Sequence, residues 1–142
     1  MASVLAAGAA QTHATDLVES GTTTDSLETE GDDYDNVTVT GTGAITTTGS
    51  GIAVTSGSTI SNDVTNEGTL DADAYGILLT SSATVGGDIT NSGDIIAGNT
   101  GIEIYSDSKV SGSIINSADA TIDADGHGIL VSYTSTINDN IT

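Results

Sequence analysis

The residues best suited to chemistry in this chain are carboxylates that recur at one position of a repeat. Asp71 and Asp73 stand in Thr-Leu-Asp-Ala-Asp, and Asp123 and Asp125 stand in the matching Thr-Ile-Asp-Ala-Asp. Alternate residues of a strand project to one side, and carboxylate oxygens are ligands that calcium prefers. These four aspartates are therefore the candidate calcium ligands. Because Ile96 interrupts the series in the intervening copy, solvated turn-forming aspartate is the favoured interpretation, and the prediction is a chain without a cofactor.

The residue types that usually carry out catalysis are scarce in this chain. It contains no cysteine, and its candidate cationic side chains are Lys109 and the two histidines, His13 and His127. A polysaccharide lyase usually needs a cationic residue beside its substrate, whereas a glycoside hydrolase needs two carboxyl groups about 5–10 Å apart. Phe and Trp are absent, so four tyrosines would have to provide any platform for sugar rings. The sequence therefore predicts a protein that is not an enzyme.

The charge of the chain is strongly one-sided. Twenty acidic residues stand against a single lysine in 142 residues, which gives a formal net charge of −19 at pH 7. Such a surface repels nucleic acid and anionic membranes. We therefore expect no nucleic-acid partner and no insertion of this segment into a membrane. The absence of cysteine also excludes disulfide bonds and cysteine-based metal sites.

A repeat of about 25 residues positions these side chains. Its copies begin at residues 51, 76, 101 and 128, so the spacings are 25, 25 and 27 residues. The second, fourth, tenth and fourteenth repeat positions are nearly all Ile or Val, which favour strands over helices. Short alternating runs between Gly, Ser, Asn and Asp predict an all-β fold, a β-solenoid of about four coils with about three strands per coil. Equivalent strands of successive coils would pair in parallel at about 4.7–4.9 Å.

Two further repeat positions predict structural ladders. Asn66, Asn91 and Asn116 each follow a predicted strand, and stacked asparagine side chains can hydrogen-bond along the axis of a solenoid. The second ladder consists of the glycines that begin the copies, Gly51, Gly76, Gly101 and Gly128. Glycine at such a position indicates either a positive φ or a close approach of the backbone to another strand. We interpret both sets as structural.

The chain before the repeats divides into two segments of different composition. Residues 1–14 are small, apolar or uncharged, which indicates either the remnant of a secretory signal peptide or a tail. Residues 15–36 are acidic with few apolar side chains, which predicts a poorly ordered leader. In the alternative, the leucine and valine side chains of this leader cap the first coil. The solenoid is predicted over residues 37–142, and we expect the natural chain to continue beyond residue 142.

The repeats are similar to those of a known class of secreted proteins. The run GDITNSGDIIAGNTGIEIYSDSKVSGSIINS, residues 87–117, resembles the passenger regions of Gram-negative autotransporters (type V secretion), and the likeness covers about residues 37–142. The resemblance implies a single-stranded, right-handed parallel β-helix. It also implies export through a signal peptide and a C-terminal outer-membrane barrel outside this chain. The expected location is therefore extracellular, at the bacterial cell surface.

The function that these observations favour is mechanical. We expect a non-catalytic, cell-surface or secreted passenger that acts as an adhesin or a rigid extracellular spacer. Its expected partner is a glycan or protein on a host or neighbouring cell. One alternative is a fragment of a carbohydrate-active parallel β-helix enzyme. The other is a filament subunit that associates head to tail, since a 25-residue alignment would place Val39 and Ile141 at the same phase of the repeat.

Overall fold

The computed structural model describes residues 15–142, which form a β-solenoid of about five turns. The predicted signal-peptide remnant, residues 1–14, lies outside the described residues. Within residues 15–142 all the regular elements are strands, nineteen in number. A helix with the length and apolar character needed to cross a membrane is not found in this part of the chain. Strands pair in parallel with their equivalents in the next coil, so the predicted all-β solenoid is confirmed.

Each complete coil contains four short strands, where the sequence predicted about three, because strands of two residues are too short to show an alternating pattern. Sheet 1 contains β3 (Leu27–Glu28), β6 (Ile52–Val54), β10 (Tyr75–Leu79), β14 (Thr100–Ile104) and β18 (His127–Val131). Sheet 2 contains β7 (Thr59–Ile60), β11 (Thr84–Val85), β15 (Lys109–Val110) and β19 (Thr136–Ile137). Sheet 3 contains β1 (Leu17–Glu19), β4 (Val37–Val39), β8 (Val64–Asn66), β12 (Ile89–Asn91) and β16 (Ile114–Asn116). Sheet 4 contains β2 (Thr22–Thr23), β5 (Ala44–Thr47), β9 (Thr69–Ala72), β13 (Asp94–Ala97) and β17 (Thr121–Ala124).

The core is a column of aliphatic side chains that runs along the axis of the coils. Successive side chains of a strand point to opposite faces, so Ile and Val face inward while Thr and Asp face outward. Ile52, Ile77 and Ile102 stack in register on sheet 1 and are fully buried. In the three complete copies, every repeat position predicted to be apolar lies in this core. The column is narrow enough for Ile, Val, Leu and Ala to fill it, which explains a core without Phe or Trp.

The acidic segment before the repeats forms the first coil of the solenoid. Leu17 pairs with Val37, and Leu27 pairs with Ile52; both leucines are buried, whereas Val18 is exposed. The prediction of a poorly ordered leader over residues 15–36 is therefore wrong for the strands of this segment, and the solenoid has about five turns instead of four. The 25-residue period missed the start of this coil because Leu17 precedes its partner by only 20 residues (37 − 17), whereas Leu27 precedes Ile52 by 25 (52 − 27).

The chain turns from sheet 1 to sheet 2 through two consecutive residues in the left-handed region of backbone conformation. The pairs are Glu30 and Gly31, Ser56 and Gly57, Ser81 and Ser82, Ser106 and Asp107, and Tyr133 and Thr134. Eight of these ten residues are not glycine, although side chains with a Cβ disfavour this region. The same left-handed turn therefore repeats in every coil, whatever residue types occupy it.

Candidate functional site

The asparagines of the repeat form one column at the end of sheet 3. The Nδ2 of Asn66 donates to the Oδ1 of Asn91 over 2.8 Å, and the Nδ2 of Asn91 donates to the Oδ1 of Asn116 over 2.8 Å. Asn66 and Asn91 are buried, and their amide groups also donate to carbonyl oxygens of the next coil, those of Asp94 and Thr121 on sheet 4. Because buried amides need partners on both sides, this column holds the corner between sheets 3 and 4.

A second polar column, which the sequence analysis did not single out, lies at the corner before sheet 3. In it, the side chain of one coil accepts a hydrogen bond from the backbone N–H of the next coil. The Oδ1 of Asp63 accepts from the N–H of Asp88 over 2.8 Å, and the Oδ1 of Asp88 accepts from the N–H of Ser113 over 2.7 Å. The sequence signal was the Asp or Ser that precedes each Val-Thr-Asn, Ile-Thr-Asn or Ile-Ile-Asn strand. These carboxylates stabilise the corner.

The glycine ladder reflects close packing of neighbouring coils. Gly51, Gly76, Gly101 and Gly128 do not have a positive φ. A Cβ at Gly76 would clash with the Ile95 side chain and would lie 2.5 Å from the carbonyl oxygen of Gly101. At Gly51 and Gly101 a Cβ would likewise stand under 3 Å from the carbonyl of the next glycine, whereas at Gly128 it would meet no atom within 4 Å. Close approach is thus the reason for glycine at the first three positions.

The candidate calcium ligands are not brought together. Asp71 pairs in register with Ile96, and Ile96 pairs with Asp123, so the two aspartates are two coils apart. Two inter-strand spacings amount to about 9.6 Å, which is too far for one cation to bind both carboxylates. Asp73 and Asp125 are exposed at the following turns. Among residues 15–142 no group of three or more His, Asp or Glu side chains is arranged to hold a metal ion.

A column of small residues lies beneath the left-handed turns between sheets 1 and 2. The hydroxyl of Ser58 accepts from the Oγ1 of Thr29 over 2.7 Å and from the N–H of Gly31 over 2.9 Å, and it donates to the carbonyl of Thr55 over 2.7 Å. Ser108 occupies the same repeat position two coils later. Its hydroxyl is buried and finds no hydrogen-bond partner in the described part of the chain. Ser58 therefore makes three hydrogen bonds through its hydroxyl, whereas the hydroxyl of Ser108, at the equivalent position, makes none.

Tyr34 lies at the corner of the first coil and is bridged to Ile60. Its side chain is buried. Burial raises the pKa of Tyr34 above its ordinary value of 10.0, and the nearby carboxylates of Asp32 and Glu30 raise it further. The folded chain therefore favours the neutral phenol at this corner.

The outer face of sheet 1 differs from the outer faces of the other sheets. One outward-facing column in register on this sheet consists of Glu28, Ala53, Leu78, Glu103 and Leu130. Glu103 points away from the core, because its strand neighbours Ile102 and Ile104 point into it. Even so, only 8% of Glu103 and 4% of Ala53 is exposed. The equivalent residue on sheet 4, Ile96, is 46% exposed.

Among residues 15–142, the buried side-chain oxygen without a hydrogen-bond partner is that of Ser108, so the carboxylate of Glu103 is not an unpaired buried charge. The single lysine, Lys109, lies on sheet 2. Tyr105 follows two residues later on the same face, and its ring centroid is 4.7 Å from that of Tyr133 at an interplanar angle of 55°. Tyr133 is 70% exposed. Sequence reasoning missed this site because an outward Glu on a short strand is normally solvated.

Comparisons with known proteins do not assign the chain. No protein-family model matches it, and neither a curated protein nor a solved structure is significantly similar to it. The function is therefore argued from the geometry of the described residues.

Proposed function

We propose that this chain is a non-catalytic, rigid rod segment of a secreted or cell-surface protein, of the kind that autotransporter passengers represent. The observation that carries the proposal is the continuity of its sheets: sheets 1, 3 and 4 run through five strands each in unbroken parallel register. Five turns at about 4.8 Å each give a rod about 24 Å tall. Such a rod resists bending because hydrogen bonds join each coil to the next along several faces.

The distribution of charge supports a solvated, extracellular rod. The acidic side chains stand mostly at turns and at outward positions of the strands, as Asp71 and Asp123 do on sheet 4. A net charge of −19 keeps such rods apart in solution. A chain without cysteine can also cross a membrane unfolded without disulfide bonds that would obstruct it. These features favour a spacer or an adhesin over an enzyme.

The mechanical proposal is tested by measuring length and resistance to proteolysis. The chain is placed between two fluorescent domains, and energy transfer is recorded between about 20 mM and 1 M salt, a range over which the screening length falls several-fold. A rigid rod keeps the same transfer efficiency, and residues 17–142 resist a broad-specificity protease. A salt-dependent change in transfer, or early cleavage inside sheets 1 to 4, would contradict it. Location is tested separately by adding protease to intact cells of the native host.

A filament subunit, in which copies of the chain associate head to tail, is the second candidate. Ile122, Ile129 and Ile137 are only partly buried, and the edge strands of parallel sheets readily pair with other strands. Sizing of the chain across a range of concentrations separates the two functions, because only a filament grows with concentration.

A further inference from the structure

A tyrosine in the turn between sheets 1 and 2 departs from the repeat at a cost in backbone energy. Tyr133 is the first residue of the left-handed pair in its coil, with a φ of 51°. The equivalent residues Ser56 and Ser81 are small and polar. A bulky side chain is disfavoured at positive φ, and most of the Tyr133 side chain is exposed, so burial does not offset this strain. Backbone strain of this kind is found preferentially at functional sites.

The exposure of Tyr133 is a property of its place in the turn. Ser56 and Ser81 occupy the same place in coils that have a neighbour on each side, and both serines are exposed. In the adjacent coil Tyr105 stands where the equivalent residue is Thr80, and its ring contacts that of Tyr133 with centroids 4.7 Å apart. Two aromatic residues in neighbouring coils therefore replace small polar residues and together form one ring pair at the surface.

A carboxylate and a hydroxyl group lie beside the ring pair. The backbone N–H of Asp107 donates to the carbonyl oxygen of Tyr133 over 3.0 Å, which holds Asp107 next to the rings. The hydroxyl of Thr134 donates to the Oδ1 of Asp107, and both residues are exposed. Because a carboxylate accepts several hydrogen bonds at once, Asp107 can also accept from a ligand. Aromatic surface with a few fixed polar groups is the usual composition of a ligand site.

We propose that Tyr105, Tyr133 and Asp107 form a surface site for a neutral hexopyranose unit of a glycan. One face of a pyranose ring is rich in C–H groups, which pack on a tyrosine ring, and its hydroxyl groups donate to a carboxylate. The two rings are tilted by 55° and not stacked face to face, so a face of the Tyr133 ring is open to a sugar.

The charge of the chain selects a neutral sugar over other ligands. A net charge of −19 repels sialylated, sulfated and uronate-containing glycans. A quaternary ammonium group is held in a cage of aromatic rings, whereas Tyr105 and Tyr133 form an open pair on the surface. The inference deepens the proposed function and rests on it, because a rod displayed outside the cell is where a foreign glycan is met.

Binding is tested on a printed array of galactose-, glucose- and mannose-terminated oligosaccharides with their sialylated and sulfated counterparts, at about 150 mM salt, where diffuse charge effects are screened. Tyr133→Ser and Tyr105→Thr introduce the residues of neighbouring coils, so they suit the fold. The matched control is Tyr75→Thr, which removes a tyrosine from the start of a strand of sheet 1, where Thr100 is the equivalent residue.

We expect the unsubstituted chain to bind neutral glycans. Titration of the array should show that Tyr133→Ser and Tyr105→Thr each raise the dissociation constant at least tenfold, whereas Tyr75→Thr changes it less than twofold. Tyr133→Phe keeps the ring and should stay within threefold of the unsubstituted chain. Asp107→Asn should weaken binding at least threefold, because an amide oxygen is a weaker acceptor than a carboxylate.

Four results would overturn the proposal: no binding of a neutral glycan; binding confined to the sialylated or sulfated glycans; equal losses in Tyr133→Ser and Tyr75→Thr; or competition by choline chloride and not by the free neutral sugar. Urea unfolding separates folding from binding, because we expect the midpoint of Tyr133→Ser to equal or exceed that of the unsubstituted chain. A lowered midpoint would show that the ring serves packing and would also overturn the proposal.

Failure of this proposal is distinguishable from failure of the rod function. Salt-independent energy transfer in a chain that binds no neutral glycan refutes the glycan site alone. Salt-dependent transfer in a chain that binds neutral glycans through Tyr133 refutes the rod alone.

Discussion

Two serines at one repeat position provide a sharp test of how polar groups stabilise this solenoid. Replacing Ser58 with Ala removes a hydroxyl that joins Thr29, Gly31 and Thr55. Replacing Ser108 with Ala removes a buried hydroxyl that has no partner in the described part of the chain. Both substitutions delete the same atom from the same position of the coil, so differences in volume and helix or strand propensity cancel between them.

The expected changes in the free energy of unfolding have opposite signs. Ser58→Ala leaves a backbone N–H, a carbonyl and the buried Thr29 hydroxyl with fewer partners. At about 1 kcal/mol per lost hydrogen bond, with more for a buried group left unsatisfied, the loss is about 2–4 kcal/mol. Ser108→Ala removes a buried hydroxyl that makes no hydrogen bond to offset its desolvation, so the free energy of unfolding rises by up to about 1 kcal/mol. Ala83 already occupies this position in the intervening coil, so alanine fits there.

Urea unfolding followed by far-ultraviolet circular dichroism measures both changes. The two variants should unfold with the same dependence on urea concentration as the unsubstituted chain, and only the midpoint should move. Near-equal midpoints for the two variants would refute the assignment of hydrogen bonds to Ser58. A loss of more than about 0.5 kcal/mol in Ser108→Ala, beyond what an unexplained surface change produces, would show that its hydroxyl has a partner.

Three further predictions concern the ladders and the first coil. Gly76→Ala should lower the free energy of unfolding by about 2–4 kcal/mol through overpacking, whereas Gly128→Ala should change it by less than about 0.5 kcal/mol; equal effects would refute the packing argument. Asn91→Ala should cost about 3 kcal/mol in urea unfolding because its buried neighbours lose partners, and exposed Asn62→Ala should be nearly neutral. The raised pKa of Tyr34 stabilises the fold below the ordinary tyrosine pKa, and this contribution is lost as pH rises through the folded value. Tyr34→Phe should therefore show a smaller fall of the urea midpoint in alkaline solution, and an unchanged fall would contradict it.

The part of the fold that follows from periodicity could be predicted, and the part that departs from it could not. The inward positions of the repeats are recognisable because each recurs every 25 residues or so, as Ile52 and Ile77 do. The first coil was not predicted because two of its three strands are spaced differently: Leu17 stands only 20 residues before Val37 (37 − 17) and Thr22 only 22 before Ala44 (44 − 22), although Leu27 stands 25 before Ile52 (52 − 27). The turns between sheets 1 and 2 could not be predicted either, since residues such as Ser81 adopt a left-handed backbone conformation that is normally expected only of glycine.

In the candidate site, too, some residues could be predicted from the sequence and others could not. Asp71 and Asp123 looked like ligands because carboxylates recur at one repeat phase, yet the register places Ile96 between them and the fold leaves all three outward. Glu103 attracted no attention in the sequence, because acidic residues are common in this chain and an outward position on a strand is usually solvated. Its burial depends on the shape of the outer face of sheet 1, which is a tertiary property.

In a repeat protein the equivalent residues of successive coils can be compared with one another, so a residue that differs from its equivalents is informative. Every coil packs against its neighbours in the same way, so a residue that differs from its equivalents either relieves local strain or has a role outside the coil. Gly128 has no atom within 4 Å of the place a Cβ would occupy, and the Ser108 hydroxyl lacks the partners that Ser58 has, so these two residues differ from their equivalents in surroundings and not in residue type. Glu103 departs in residue type, because a carboxylate stands where Leu78 and Leu130 stand in the neighbouring coils. Its carboxylate is not among the buried oxygens that lack a partner, so this departure costs the packing of the coils little.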